Sequence, residues 1–573
     1  MIPLEPGIAC LGVMMLLLGT GGAWAAVPED LPEAEKTLAH TVDPWGLAFS
    51  DQWARFRSYF APRPEAPFVL GLTHDLVKVW PIKYWFRGET FCAGEAGLPA
   101  AAQELWAAAG ETVSFQVALL PRPGAPEATF RVMVEARTEE GQPLPTAIFR
   151  EVFVRTARPA YPRFESERWP DPLVPEDSVT VSGLDAGVFW IDVVIPPEVT
   201  ARTATCQVRA SDGASEAACR LRLNLVPGLF LRPKAFPLVA WFWAERGAWK
   251  LDDSQFMAMC TLLLEHHLLP LNALVGVFDP QDPRRFDARH AALAQQGQTL
   301  FELDSPTRPE FEALYAHVKA QGWLDQCLIY SNVDEPSAED FQAQNVPFLQ
   351  EVHRKYPGLR VYLASDGHPQ MAQGCDIWMT DLSASGYEAT VQRLQKAPEL
   401  WHYYCHLPIH WQMRAPLVHA PNMQIDNEAL EHRLALWMSA HLGARGVFIW
   451  AGNAWDLAAD FWENPVLAST PATFPYAGIH NGNGYLVYPP RVPGGAVLPS
   501  LRLKILRDGL EDLALFRAVE ERLPQLDEAA QAEWKQWLDP TPGVFVHPHY
   551  FDRRPEALRG HREAVLQRLA REG

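Results

Sequence analysis

The amino-acid sequence predicts a multidomain protein: an N-terminal antiparallel β-sandwich, then a (β/α)8 TIM-like barrel, then a helical C-terminal tail. Three observations predict it. The 573 residues exceed what one hydrophobic core usually holds, so about two to four domains are expected. From about Pro67 to Val226 apolar and polar residues alternate, as at Val113, Phe115, Val117 and Leu119 and again at Leu221, Leu223 and Leu225. Turn signals separate such runs, and a period of two belongs to half-buried strands. After Pro227 short β-rich apolar runs alternate with segments of helical period, the pattern of repeated βα units. An open doubly wound sheet is the alternative for this second part.

The chain begins with an apolar run from Ile8 to Gly19, followed by Ala23-Trp24-Ala25, the small-x-small form of a signal-peptidase site. Residues 1–25 are therefore expected to be an export signal and the mature chain to be secreted or periplasmic, although Glu5 is present and no Lys or Arg precedes Lys36. The run is shorter than the ~20 apolar residues a membrane span needs. No later stretch reaches that length, so no span is expected in the mature chain. A leader segment at 26–66 then precedes the sandwich at 67–230, the barrel at 231–525 and the tail at 526–573.

Composition narrows the function classes. Hydrophobic residues at 48% and charged residues at 21% describe a globular protein. The formal charge of −20 argues against a polyanion-binding surface, so nucleic acid is not an expected partner. The 21 tryptophans suit carbohydrate binding and ordinary cores alike. Eight cysteines become seven once Cys10 is removed, too few and too odd for a disulfide scaffold. Asp212-Gly213 reads as a two-residue hairpin turn, and counting outward from it places Cys206 opposite Cys219. A cross-strand disulfide is expected there, with two buried thiols as the competing reading.

In the barrel region the apolar runs include Leu238 to Trp243, Leu328 to Val333, Val361 to Ala364, Ile377 to Met379, Trp401 to Tyr404 and Val447 to Trp450. Phe311, Leu314, Tyr315 and Val318 mark one helical stripe. Leu430, Leu434, Trp437, Met438 and His441 mark another, capped by Asp426 and stopped at Gly443. Arg507, Asp508 and Asp512 are expected to form an ion-pair network in the last barrel helix.

Tyr330-Ser331-Asn332-Val333-Asp334-Glu335-Pro336 carries the most chemistry. In a barrel, reactive groups sit where strands end, and Asp334 and Glu335 fall at such an end. Adjacent α-carbons lie only about 3.8 Å apart, so both carboxylates approach a substrate from one side. An acid and base bracketing a sugar ring stand about 6.5–9.5 Å apart, and a retaining acid and nucleophile also face each other. Neighbouring carboxylates suit substrate-assisted catalysis instead, in which a 2-acetamido oxygen is the nucleophile, one carboxyl protonates the leaving oxygen and the other orients the acetamide. The Asp334 charge and aromatic walls are expected to raise the pKa of Glu335, fitting it for the acid role. The competing reading is a surface acidic pair before a helix.

Several motifs in order resemble those of glycoside hydrolase family 123, the retaining β-N-acetylgalactosaminidases, and the wider domain of unknown function 4091 group. They are Asp334-Glu335-Pro336, Trp401 to Pro408, Glu431 to Trp437 with Gly446 to Trp450, Asn453-Ala454-Trp455-Asp456, Gly482 to Pro489, Pro499 to Arg502 and Arg507 to Asp512. The resemblance covers roughly residues 70–525. It implies a sandwich followed by a (β/α)8 barrel, Glu335 as general acid/base, and Asp334 as the group that positions the acetamido nitrogen and stabilises an oxazolinium ion. The implied partner is a glycan containing N-acetylgalactosamine or a related 2-acetamido sugar. Asn483 stands where the family more usually has Asp, Lys504 replaces an acidic residue, Leu513-Ala514-Leu515 replaces a Tyr-rich stretch, and residues 407–418, with His410, Trp411 and Arg414, match no known pattern.

Other residues are candidates for substrate binding. Tyr403, Tyr404, Trp450 and Trp455 near strand ends suit stacking on a sugar or donating to the acetamide carbonyl, with core packing as the alternative. Asn332 and Asp381 follow apolar runs, and Asn453 stands in one of the resembling motifs. His402, His406 and His410 repeat every four residues but sit on a strand, so no metal is expected. No cofactor is expected either: no P-loop, Gly-x-Gly-x-x-Gly or Gly-x-Ser-x-Gly pattern occurs. Two other functions compete: a glycosidase on a non-acetamido sugar, pairing Glu335 with Asp381 or Asp456, and a non-catalytic carbohydrate-binding protein.

Overall fold

The structure is a computed structural model describing residues 36, 48–87, 90–92, 103–156, 168–246, 249–365, 374–382, 399–405, 420–456, 458–462, 464–467, 481–492 and 494–572. The expected export signal and the 407–418 segment lie outside them. A helix, α1 (Phe49–Tyr59), precedes the first strand and buries Trp53, Phe56 and Tyr59. Two antiparallel sheets follow. One orders β2 (Thr90–Cys92), β1 (Phe68–His74), β4 (Thr112–Pro121), β10 (Gly187–Val194), β7 (Thr146–Arg155) and β8 (Arg168–Val174). The other orders β3 (Gln103–Ala108), β12 (Glu216–Val226), β11 (Thr203–Ser211), β5 (Ala128–Thr138) and β6 (Pro143–Leu144), with β9 (Ser178–Val181) on β5. The pair β3–β12 is parallel, a departure from the expected antiparallel pattern.

Burial explains the two strand patterns. Strand β11 alternates between buried and accessible residues because one face covers the core and the other meets solvent. Strands β1 and β4 are apolar on both faces. Leu70, Leu72, Val117 and Leu119 enter the sandwich core, while Val69, Ala118 and Leu120 turn outward into the larger core shared with the barrel.

The β11–β12 hairpin corrects the expected disulfide. Its register pairs Ser211 with Glu216, so Cys206 faces Leu221 and Cys219 faces Val208. The turn is longer than two residues because Asp212 Oδ1 accepts from both Ala214 N at 2.9 Å and Ser215 N at 2.7 Å, a side-chain-stabilised turn that moves the register by two residues. Cys206 is a free buried thiol, whereas Cys219 is disulfide-bonded, so they are not each other's partner.

The second sheet has eight parallel strands: β13 (Leu238–Ala240), β14 (Leu268–Pro270), β15 (Phe301–Glu302), β16 (Cys327–Tyr330), β17 (Arg360–Ala364), β18 (Ile377–Thr380), β19 (Leu400–Tyr404) and β20 (Val447–Ile449). Neighbours in chain order pair everywhere except between β14 and β15, the two ends of the sheet, and β20 returns to β13. The ring is nearly closed. Between β14 and β15, Glu302 N donates to Leu271 O at 2.7 Å just beyond the paired residues. Among the described residues helices follow six strands: α2 (Asp253–Glu265), α3 (Arg284–Gln295), α4 (Phe311–Ala320), α5 (Val346–Lys355), α6 (Ala429–His441) and α7 (Leu501–Glu520). A complete (β/α)8 repeat is therefore not traced. Helices α8 (Glu528–Leu538) and α9 (Pro555–Glu572) end the chain.

Helix α6 is not capped by Asp426. Its N-cap is Glu428, with no side-chain cap, while Asp426 is buried and accepts from Asn481 Nδ2 at 2.9 Å. Its end at Gly443 agrees with the sequence pattern, because φ there is +87°, the left-handed conformation that glycine adopts without strain.

Helix α7 joins the two halves through buried charge. Arg502 pairs with Asp171 of β8 at 2.9 Å. Lys504 and Arg507 both pair with Asp192 of β10. Arg507 also pairs with Asp508 at 2.7 Å, and Asp512 with Arg433 of α6 and Arg562 of α9. Arg507, Asp508 and Asp512 are all ion-paired as expected, but Asp512 is joined to Arg433 and Arg562 while the Arg507–Asp508 pair reaches into the sandwich through Asp192.

Two outcomes follow. Alkylation of the unfolded, unreduced protein should label Cys206 and spare Cys219 until reductant is added; labelling of both at once would contradict the assignment. Asp171→Ala strands the Arg502 charge at 1% side-chain exposure, so it should destabilise by about 3–5 kcal/mol, read as a fall in melting temperature.

Candidate active site

Strand β16 ends at Tyr330, and its parallel pairing carries one residue further, Ser331 N donating to Tyr362 O at 3.0 Å. The chain then crosses the barrel mouth as Asn332-Val333-Asp334-Glu335-Pro336 before a helical segment opens at Ser337, whose Oγ accepts from Asp340 N at 3.1 Å. Asn345 holds this crossing from below. It is fully buried, and its Nδ2 donates to Ser331 Oγ at 2.8 Å and Val333 O at 3.0 Å. Asn345 ends a π-helical turn, Phe341–Asn345, the one-residue bulge that turns a side chain out of the regular helical phase.

The two carboxylates are exposed at the mouth and each is oriented by a different tyrosine. Tyr330 Oη donates to Asp334 Oδ1. Tyr403 Oη, from β19 three strands round the ring, donates to Glu335 Oε1 at 2.9 Å. The Tyr330 hydroxyl is pushed far above its ordinary pKa, first by burial and then by the Asp334 charge, so it remains a donor throughout the physiological range. Glu335 has φ +42°, a left-handed conformation in a non-glycine residue that also precedes proline. Both features cost energy, and such strain persists only where surrounding contacts impose it.

Aromatic rings line the mouth. Trp241 meets Tyr330 at 5.2 Å and Phe448 at 5.2 Å between centroids, and Tyr330 meets Tyr362 at 4.9 Å. Trp243 lies at the rim under the Arg246 guanidinium, 4.2 Å from its ring centroid. Trp450 is half-buried and donates to Asn483 Oδ1 at 2.6 Å, which gives the Asn at this position a structural role. Gly484 follows because a Cβ there would come within 2.6 Å of the Trp450 ring.

The structure brings Asp334, Glu335 and Tyr403 together and sorts the other candidates. Tyr404 points to the opposite side of its strand, where its hydroxyl donates to Ala435 O of α6 at 3.2 Å. Trp455 is buried and donates to Val487 O at 2.8 Å. Asn453 is buried and fixes the end of β13, donating to Trp243 O at 2.8 Å and accepting from Trp243 N at 2.9 Å. Asp381 is buried with its charge acting on Tyr404, and Asp456 is paired with Arg246. Exposed Asn332 donates to Gln344 O at 3.3 Å. His402 is buried, its Nδ1 on Ser439 Oγ at 2.9 Å, and burial pushes it down to about 3; His406 and His410 lie outside the described residues. From the sequence Tyr330 stands in the segment that carries the acidic pair without a role, and Trp241, Tyr362 and Glu302 are not candidates. For Tyr330 a signal existed, since it is the last strand residue before the acidic pair.

Residues 237–519 match the family model for the glycoside hydrolase 123 catalytic domain. No curated protein matches. Among solved structures, a family 123 glycoside hydrolase from Clostridium perfringens, analysed for the details of glycolipid glycan hydrolysis, aligns with a TM-score of 0.60 at 12% identity, over 88% of this chain and 98% of its own. At that identity the likeness concerns the fold. β-Glucuronidases from Parabacteroides merdae and Bacteroides uniformis align at a TM-score of 0.23, with 9% and 10% identity, over 66% and 60% of this chain and 48% and 46% of theirs, too weakly to carry an argument.

The left-handed backbone at position 335 is testable by itself. Glu335→Gly and Glu335→Ala remove the same hydrogen bond, but only glycine tolerates φ +42° without strain. The glycine variant should melt higher, by the equivalent of up to about 1 kcal/mol once glycine's greater unfolded-state entropy is offset; a higher melting temperature for the alanine variant would show that the conformation is not strained in solution.

Proposed function

With residues 237–519 forming a glycoside hydrolase family 123 catalytic domain, the chain belongs to that family and is a glycosidase acting on a glycan, and we propose that it is an exported retaining enzyme of the β-N-acetylgalactosaminidase type. It removes terminal β-linked 2-acetamido sugars by substrate-assisted catalysis. The observation that carries this reading is the adjacency of Asp334 and Glu335 at the end of one barrel strand, each held by its own tyrosine. Two carboxylates on one side of a sugar suit a reaction whose nucleophile belongs to the substrate.

In this mechanism Glu335 gives its proton to the glycosidic oxygen as the bond from C1 to that oxygen breaks. The acetamide carbonyl oxygen bonds to C1, and the nitrogen takes up positive charge as the oxazolinium ion forms. Asp334 accepts the acetamide N–H and stabilises that charge. Water then attacks C1, Glu335 takes its proton back from the water, the ring of the intermediate opens, and two inversions leave the anomeric configuration retained. Tyr330 fixes the Asp334 oxygen that does not face the nitrogen. Tyr403 orients Glu335, and on proton transfer its hydroxyl stabilises the carboxylate.

The proposed export rests on the apolar run from Ile8 to Gly19 with Ala23-Trp24-Ala25 and on the disulfide at Cys219, chemistry typical of an oxidising compartment. Among the described residues no helix is long and apolar enough to cross a membrane.

Aryl glycosides test the reaction class. A β-linked 4-nitrophenyl 2-acetamido sugar should be cleaved while its 2-hydroxy counterpart is nearly inert, and a thiazoline mimic of the intermediate should inhibit; equal rates on the two sugars would refute acetamide participation. Glu335→Gln should slow natural glycosides by about 10²- to 10⁴-fold and activated aryl glycosides less. Tyr330→Phe should lower kcat on both classes by about 10-fold or more, since misplacing a reacting group by about 1 Å costs up to about 10²-fold.

A further inference from the structure

Glu302 ends the two-residue strand β15. Its neighbour Phe301 packs outward, 4.6 Å from the His290 ring of α3, which turns Glu302 into the barrel. There Trp241 Nε1 donates to its Oε2 at 2.5 Å and also lies 3.0 Å from Tyr362 Oη. The Tyr362 hydroxyl bonds to the Glu302 carboxyl as well. No cation balances it among the described residues: the charge acting on it is that of Asp304, and burial followed by that charge pushes the carboxyl up to about 7. The side chain is nevertheless only half-buried. Both of its partners touch the Tyr330 ring, and Tyr330 bonds Asp334. Through the Tyr330 ring a third carboxyl is thus connected to the pair Asp334 and Glu335.

A carboxylate has about four acceptor positions, so Trp241 and Tyr362 leave Glu302 able to accept further donors. The ring hydroxyls of a neutral sugar supply donors without adding charge, and hydrogen bonds to an ionised acceptor are the stronger kind. The rings beside it present apolar faces suited to the C–H faces of a pyranose. We propose that Glu302 is a sugar-binding residue of this site, accepting from a hydroxyl of the ring held against Asp334 and Glu335 and so selecting the configuration of that ring. This rests on the glycosidase reading above and adds the residue that reads the hydroxyls.

The test compares the full-length wild type and Glu302→Gln on the 4-nitrophenyl β-glycoside of N-acetylgalactosamine and on its 3-, 4- and 6-deoxy analogues. Glutamine keeps the size of the side chain and an acceptor for Trp241 and Tyr362. In the wild type, loss of the contacted hydroxyl should lower kcat/KM by about 10- to 100-fold, the range of a hydrogen bond to a charged group. In Glu302→Gln, which leaves only a neutral acceptor, the same deletion should cost about 10-fold less than in the wild type, while the other two deletions cost the same in both proteins. A purely structural role would slow all substrates alike, and unchanged deoxy penalties in the variant would overturn the proposal. If Glu302→Gln does not fold, Glu302→Asp, which withdraws the carboxyl by one methylene, is compared in the same way. If the wild type instead cleaves a 2-hydroxy glycoside, acetamide participation fails, and the deoxy series of that sugar still judges Glu302. Failure of the wild type to cleave or bind any of these sugars would overturn both readings.

Discussion

The molecule depends most on the line of buried ion pairs along helix α7. A barrel helix ordinarily presents an apolar stripe, which tolerates small rotations and slides. Helix α7 instead buries Arg502, Lys504, Arg507, Asp508, Glu511 and Asp512, and a buried charge deprived of its partner is strongly destabilising. The partners come from elements far apart in sequence: Asp171 and Asp192 from the sandwich, Arg433 from α6 and Arg562 from the last helix. Burial opposes the charge on Asp192, yet Arg507 and Lys504 hold its carboxyl well below the ordinary range; burial opposes that on Asp512 as well, and Arg433 and Arg562 lower its pKa. Each pair restricts the rotation of α7, and together they permit one docking of sandwich against barrel. Lys504, unusual at its position by family resemblance, is explained by its pairing with Asp192.

The influence of that seam reaches the mouth of the barrel. Helix α6, tied to α7 through Arg433 and Asp512, packs against β19 through Tyr404 and His402, which bond to Ala435 and Ser439. The next side chain between them, Tyr403, faces the other way and orients Glu335. The loop that carries Asp334 and Glu335 is held from the opposite side by Asn345. Glu335 therefore keeps a left-handed backbone that isolated chain would avoid, because contacts on both flanks impose it. The chemistry proposed for the site uses this: separate partners direct the two adjacent carboxylates.

The barrel mouth shows the same economy of polar groups. Trp241 and Tyr362 serve Glu302, while Tyr330 serves Asp334, and the rings of all three pack together. Aromatic side chains with one polar atom fit such a place, since they fill volume and still direct a hydrogen bond. Aliphatic residues would fill it equally well but leave the carboxylates without orientation.

Much of this was legible in the residue order. The strand runs near 328, 361, 377, 401 and 447 were visible because strands buried on both faces must be apolar along their length, and Asp334 and Glu335 are neighbours by covalent bond. Strands β14 and β15, of three and two residues, were too short to create a pattern. The hairpin register was misread by two residues because a side-chain oxygen of Asp212 lengthens the turn. Contacts across the ring were invisible: 68 residues separate Tyr403 from Glu335, and 61 separate Trp241 from Glu302. Tyr403 and Tyr404 are identical as residues and adjacent in sequence, yet one faces the site and the other a helix. Composition and spacing carry local information about which segments become strands; the phase of a strand against its neighbours, which turns a side chain inward or outward, exists only once the ring has formed.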